Sequence, residues 1–408
     1  MLNVVVINGG RGAGTLIPAL LRRQGLHVTS IVNAYDDGKS TGEIRKFFGM
    51  LGPSDLRKVQ ELMLPEDDPD YAANCEVFSY RFPDDAQRET VLAQLNAFAS
   101  GETDKLLHIQ FQQAKIRSAL RSFVSEFLAG LNVIEKIRGE QLKFADCSIM
   151  NCIYAGAFLV FQRNIELATL FIDRLFKLKG TVLPTSIEDK KLVALRENGE
   201  ILYSEAEIVE LRSSVRVERV YLLDESLDKA RFETLSAAEK RYYLERHHCR
   251  VPASPKVELA LQQADIIIYA AGTQHSSLYP TYMSSGIARN IADNKHALKV
   301  FVTNIGADYE TPSYHASDYI KGAHKYLNLS DARFYGMHEL FDCVLVNQSG
   351  EGENYVDYDE AGFQDVPVRR IVDVFENLNA KGRHDGDKVT QLVMSLHDER
   401  TVPFGGMH

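Results

Sequence analysis

The chain has 408 residues, 45% of them apolar, a length that allows two or three domains. Because α/β folds often exceed the average domain size, one core with insertions is expected. A formal net charge of −10 excludes non-specific affinity for nucleic acid or an anionic membrane as the main activity and leaves room only for a local basic patch on phosphates. Five scattered cysteines, Cys75, Cys147, Cys152, Cys249 and Cys343, lack zinc-site spacing and suggest no disulfide framework. With an N-terminus that enters a strand without signal-peptide features, they predict a cytoplasmic protein.

The first sixty residues organise the rest. Val4-Val5-Val6-Ile7, then Asn8-Gly9-Gly10-Arg11-Gly12-Ala13-Gly14-Thr15, then Leu16, Leu20 and Leu21 at helical spacing read as strand, tight turn and helix. Glycine lets backbone approach a phosphate while the next helix points its amides at it, so Gly9, Gly10, Gly12 and Gly14, with Arg11 and Thr15, are candidate phosphate-binding residues. A tight turn without a ligand is the plain alternative. A second strand, Val28–Val32, leads to Asp36 and Asp37. The pair reads as a solvated loop, as an acceptor for a ribose or substrate hydroxyl, or as magnesium ligands sharing the ion with substrate phosphates.

Gly38-Lys39-Ser40-Thr41 looks like the end of a P-loop, but Asn33 stands where that motif needs its first glycine, so the P-loop is rejected. At Pro53-Ser54-Asp55-Leu56-Arg57-Lys58, Ser54 or Asp55 can cap a helix. Residues 65–144 begin with an acidic, proline-punctuated loop. They continue with Val91, Leu95 and Phe98, then Ile116, Leu120, Phe123 and Phe127, at helical spacing, which predicts a helical insertion or lid.

Ser148 can cap an apolar helix that begins at Ile149 and runs through Phe161 toward Phe176. Its apolar stretch is too short to span a membrane. Residues 180–224 predict a small antiparallel extension with a turn at Glu197–Glu200 and no assigned chemistry. His247-His248-Cys249 has poor metal-ligand spacing for a helix. Core strands are expected at Ala264–Tyr269, Val300–Asn304 and Asp342–Asn347, followed by a Gly- and acid-rich loop and a helix near Val389 to Leu396. His275, without a visible partner, reads more readily as structural than as a general acid or base.

The glycine-rich turn, the Asp-Asp-Gly-x-Ser-x-Gly-x-x-Arg run ending at Arg45, and the pattern of Pro53, Asp55 and Arg57 resemble the CofD/YvcK family. That family contains 2-phospho-lactate transferases and UDP-sugar-binding gluconeogenesis factors. The resemblance covers roughly residues 1–60 and 145–350, and the chain looks like a divergent member. It extends to Ser148 and Asn151, with Met150 in place of a glycine, and to Gly272, Thr273, Ser276 and Ser277, with Gln274 and His275 as departures. Asn304 is similar to a strand-end Asn near the nucleotide base. Glu310-Thr311 and Ala316-Ser317-Asp318 also resemble the family pattern, with Tyr309 at a glycine position.

The resemblance implies a Rossmann-like three-layer α/β fold with a mostly parallel sheet, a helical insertion at 65–144, a β extension at 180–224 and a C-terminal tail region at 350–408. It implies a transferase that moves a phosphoryl-linked group from a GDP- or UDP-linked conjugate to an acceptor hydroxyl. Asp36, Asp37 and Asp55 are the catalytic and Mg²⁺-binding candidates, and Lys39, Ser40, Arg57, Ser148, Asn151, Gly272, Thr273, Ser276, Ser277 and Asn304 complete the nucleotide site. The alternatives are a YvcK-like UDP-sugar-binding regulator and a nucleotide-sugar glycosyltransferase. Expected partners are a nucleotide donor and a hydroxyl acceptor, without nucleic acid or membrane; a homodimer is allowed.

Overall fold

The computed structural model describes residues 1–10, 12–348, 352 and 354–401. Arg11 lies outside the described residues. Seven parallel strands form the central sheet: β1 (Leu2–Asn8), β2 (Leu26–Val32), β3 (Thr181–Pro184), β4 (Ile266–Tyr269), β5 (Leu298–Val302), β6 (Cys343–Asn347) and β7 (Arg369–Asp373). They lie in the order β3-β2-β1-β4-β5-β6-β7. Val4, Val5, Val6, Ile7 and Ile266, Ile267, Ile268 are at most 1% exposed, as expected of central parallel strands covered on both faces. The order reverses between β1 and β4, and in such sheets ligands bind beyond the strand carboxyl ends at this switch point. The sheet is therefore the Rossmann-like α/β fold that the sequence predicts.

Three helices follow the first two strands: α1 (Leu16–Leu21), α2 (Lys39–Phe48) and α3 (Ser54–Leu62). Helices at Tyr71–Ser79, Arg88–Ser100 and Ala114–Arg138 occupy the predicted insertion. Its longest helix packs on Ile149–Val160 at Gly156, where a Cβ would lie 1.8 Å from the Phe123 carbonyl oxygen. The apolar helix predicted to run on toward Phe176 is instead two helices, Ile149–Val160 and Ile165–Leu175, bent by 116°. Gln162 and Arg163 take left-handed φ of 53° and 64°, which ends the first helix. Among the described residues no single helix is long and apolar enough to cross a membrane.

Two further expectations change. The segment Gly180–Thr185, the start of the expected antiparallel extension, holds the parallel edge strand β3, which pairs with β2 from Thr29↔Thr181 to Val32↔Pro184. Proline is tolerated there because an edge strand has one unpaired side. The antiparallel extension is therefore Lys191–Arg196, Ile201–Leu202 and Val217–Leu223. Within the expected C-terminal loop, Arg369-Arg370-Ile371-Val372-Asp373 forms β7, a charged edge strand paired with β6.

Gly156→Ala separates local from tertiary control. Helix propensity alone favours alanine by about 1 kcal/mol, whereas the contact with Phe123 predicts a net loss of about 1–3 kcal/mol from overpacking. A lower urea midpoint for the variant is the expected result; a higher one means the helices separate freely.

Candidate functional site

The turns after β1 and β4 meet closely. A Cβ on Gly12 would lie 2.3 Å from the Ala271 carbonyl oxygen and 2.8 Å from Gly272 Cα, and one on Gly9 would lie 2.9 Å from Ser277 Cβ. Neither position admits a side chain without movement. Beneath the turn, Gly12, Thr15, Ala271 and His384 help to line a cavity of only about 10 Å³. That is at or below what one water needs. Gly14 and Thr15 are half-buried and lead into α1. A groove of about 590 Å³ between helices Arg88–Ser100 and Ala114–Arg138 is a separate feature of the insertion.

Asp55 completes the turn from α3. Its Oδ1 is 2.3 Å from where a Gly10 Cβ would stand, and it accepts from Lys58 Nζ at 2.8 Å. Asp36 follows β2, and burial first, then the charge of Asp55, raises its pKa above the ordinary value. The Asp36 turn is fixed from behind by Arg45, 4% exposed, which donates to the Tyr35 carbonyl at 2.6 Å and to Asp189 Oδ1 at 2.5 Å. Asn33 donates to the Ser276 carbonyl at 2.9 Å, tying the β2 end to the β4 end.

Asp37 turns the other way. Its Oδ1 accepts from Ala206 N at 3.0 Å, and its own N–H donates to Glu205 Oε2 at 3.3 Å. Glu205 is 8% exposed and its pKa is pushed up to about 9 by burial and by Asp36, Asp55 and Asp37. The β extension thus brings a fourth carboxyl beside the three predicted ones. Its isolated Glu-rich context carried no motif to announce it. Among the described residues no group of three or more His, Cys, Asp or Glu is arranged to hold a metal ion.

The cationic candidates divide. Lys39 is exposed, adopts φ 43° and stands 3.8 Å from Asp146. Arg57 is 5% exposed and donates to the Phe78 carbonyl at 2.9 Å, with its pKa lowered by burial and by Arg81. Ser148 and Asn151 are 0% exposed; Ser148 Oγ and Asn151 Oδ1 have no hydrogen-bond partner. Arg81 from the insertion bridges to Ser148, donates to Asp146 at 2.5 Å and approaches Ser40 Oγ at 3.4 Å. Arg57, Ser148 and Asn151 are therefore buried, and Arg81, which no sequence motif marked, lies beside Ser40 and Ser148.

On the β4 side, Thr273 Oγ1 donates to Ser277 Oγ at 2.9 Å, and both face Gly9. Asn304 is a brace: its amide donates to the Gly272 carbonyl and its Oδ1 accepts the Gly272 N–H, at 3.0 and 2.9 Å. The N–H groups of His275 and Ser276 donate at 2.9 Å to Glu310 Oε2, and Ser276 Oγ, a predicted site hydroxyl, donates to its other oxygen. His275 is 1% exposed, packs edge-on against Tyr279, and burial lowers its pKa to about 3, so it is a neutral core side chain.

Burial and Asp308 raise Glu310 from the usual 4.5 to about 8. The folded state therefore holds a proton that the unfolded chain releases between these values, and stability falls as pH rises from about 4.5 to about 8. Glu310→Gln keeps an oxygen for both amides and an N–H for Ser276, so its urea midpoint is expected to gain on wild type over that pH range. Glu310→Ala is expected to cost about 2 kcal/mol by orphaning the amides. Parallel pH profiles for wild type and the Gln variant would contradict the assignment.

Comparison with known proteins places this geometry. Gluconeogenesis factors from Listeria monocytogenes and Listeria innocua are each 24% identical to the chain, over 408 and 403 residues, covering 98% and 96% of it and 96% and 95% of the relatives. A crystal structure of a Bacillus halodurans protein, described as a member of the upf0052 family, superposes with a TM-score of 0.66 at 19% identity, over 97% of this chain and 100% of that one. The family model described as 2-phospho-L-lactate transferase CofD matches residues 4–384, and the chain belongs to that family.

Proposed function

We propose that the chain is a transferase that binds a nucleoside diphosphate conjugate at the switch point and moves its terminal phosphoryl-linked group to an acceptor hydroxyl. The observation that carries this reading is the convergence of the Gly9–Gly12 turn, Asp36, Asp55 and the Thr273–Ser277 hydroxyls beyond β1, β2 and β4. The turn and hydroxyls bind the diphosphate. The acceptor oxygen forms a new bond to the terminal phosphorus, the bond to the nucleoside monophosphate breaks, and the hydroxyl proton passes to Asp36 or Asp55. Lys58, and Arg81 from the insertion, supply positive charge near the leaving group.

Asp36 and Asp55 suit Mg²⁺, which takes one or two carboxylates together with substrate phosphates. The raised pKa of Asp36 supports this, since a half-buried carboxylate near the charge of Asp55 gains from a nearby cation. When bound, Mg²⁺ neutralises charge on the transferred group. Asp37 positions the β extension through Ala206. A regulatory ligand-binding role is the second reading, supported by the name gluconeogenesis factor carried by the Listeria relatives. Turnover with a nucleotide-linked donor separates the two.

Asp36→Asn retains an acceptor for the Gly38 N–H, which now donates to Asp36 Oδ1 at 3.0 Å, so the fold is expected to survive. Calorimetry with GDP and UDP should show the magnesium-dependent part of the affinity lost, about tenfold or more, ~1.4 kcal/mol. Gly12→Val should weaken both nucleotides with or without magnesium, because the new side chain meets Ala271. Unchanged affinity in both variants would contradict the assigned cleft.

A further inference from the structure

Two segments reach across the carboxyl edge of the sheet toward each other. One carries Glu205, held against Asp37, in the short helix Glu205–Glu210, and ends at Arg212. The other carries Glu310, whose carboxylate holds the turn after β4, with Tyr309 next to it. They meet where the Arg212 guanidinium lies over the Tyr309 ring, 3.9 Å from its centroid. Tyr309 is 60% exposed and Arg212 is exposed, although both sit between anchored neighbours.

This contact is unlike its surroundings. Arg216, four residues on, pairs with Asp318, whereas Arg212 has no carboxylate at ion-pair distance among the described residues. Tyr309 is absent from the residues with left-handed φ, so the backbone makes no demand for glycine there. A flat guanidinium on an exposed ring presents two planar surfaces, and both stack well on a planar π-system. We propose that Tyr309 and Arg212 form the platform that binds the nucleobase of the nucleoside diphosphate, on the rim between the Asp37 side and the Glu310 side of the cleft. This rests on the nucleotide-binding reading above and assigns its base-recognition residues. Stacking accepts any base face, so the pair sets affinity for nucleotides over bare diphosphate, not the choice among bases.

The test compares GDP, UDP and inorganic pyrophosphate by calorimetry for wild type, Tyr309→Gly, Tyr309→Phe and Arg212→Ala. The expected result is a loss of about fivefold or more for both nucleotides in Tyr309→Gly, the lower end for one base–aromatic stack. Pyrophosphate affinity should stay unchanged in that variant, and Tyr309→Phe should retain nucleotide affinity. Because the chain has no tryptophan, Tyr309→Trp supplies a unique fluorophore whose emission GDP, but not pyrophosphate, should quench. If wild type binds nucleotides and Tyr309→Gly binds them equally well, the platform is refuted while the nucleotide cleft stands. Equal losses for nucleotides and pyrophosphate also refute it, since the ring then acts on the phosphate turn. If wild type binds none of the three ligands, the nucleotide reading falls and takes this inference with it.

Discussion

The close approach of the β1 turn to the β4 turn is the constraint on which the site depends. Gly12 lies where any side chain would strike the Ala271 carbonyl, and Gly9 where one would strike Ser277. The resulting seam leaves a cavity of only about 10 Å³. Beside the seam, Asp55 rests against Gly10 and the Thr273–Ser277 pair faces Gly9. Parallel strands deliver these groups to one edge because all seven share a direction.

Around that seam, buried polar side chains hold the loops in register. Arg45 fixes the Tyr35–Asp36 turn and joins it to Asp189, Asn33 links the β2 end to Ser276, and Asn304 clamps Gly272. Glu310 takes up the free amides of the β4 turn. The cost of burying these groups is offset by their hydrogen bonds, and loss of one partner exposes that cost. The acidic cluster of Asp36, Asp37, Asp55 and Glu205 is less fully compensated, as the upward shifts of Asp36 and Glu205 show. Such unrelieved repulsion marks a place where a cation or a proton is favoured.

Much of this was legible in the sequence because it is local. An unbroken Val/Ile run gives a buried parallel strand, a glycine cluster gives the turn, and the order of motifs gives the family. The parts that escaped depend on distant contacts. Arg57, Ser148 and Asn151 are buried, and Arg81, from the 65–144 stretch, lies beside Ser40 and Ser148. Nothing in that stretch announces one arginine among several. Glu205 and the amide-capping role of Glu310 come from elements separated from their partners by 168 and 35 residues. Edge strands β3 and β7 were missed because a proline and paired charges, which argue against a central strand, are acceptable at an edge.

The most direct test of the account is amide hydrogen exchange on the whole chain with Mg²⁺ and GDP or UDP against the free protein. The account predicts new protection at residues 9–15, 36–42 and 271–277, the turns that converge at the switch point, and at the segments that carry Arg212 and Tyr309. Protection confined to the groove between residues 88–100 and 114–138, or none at saturating nucleotide, would contradict it.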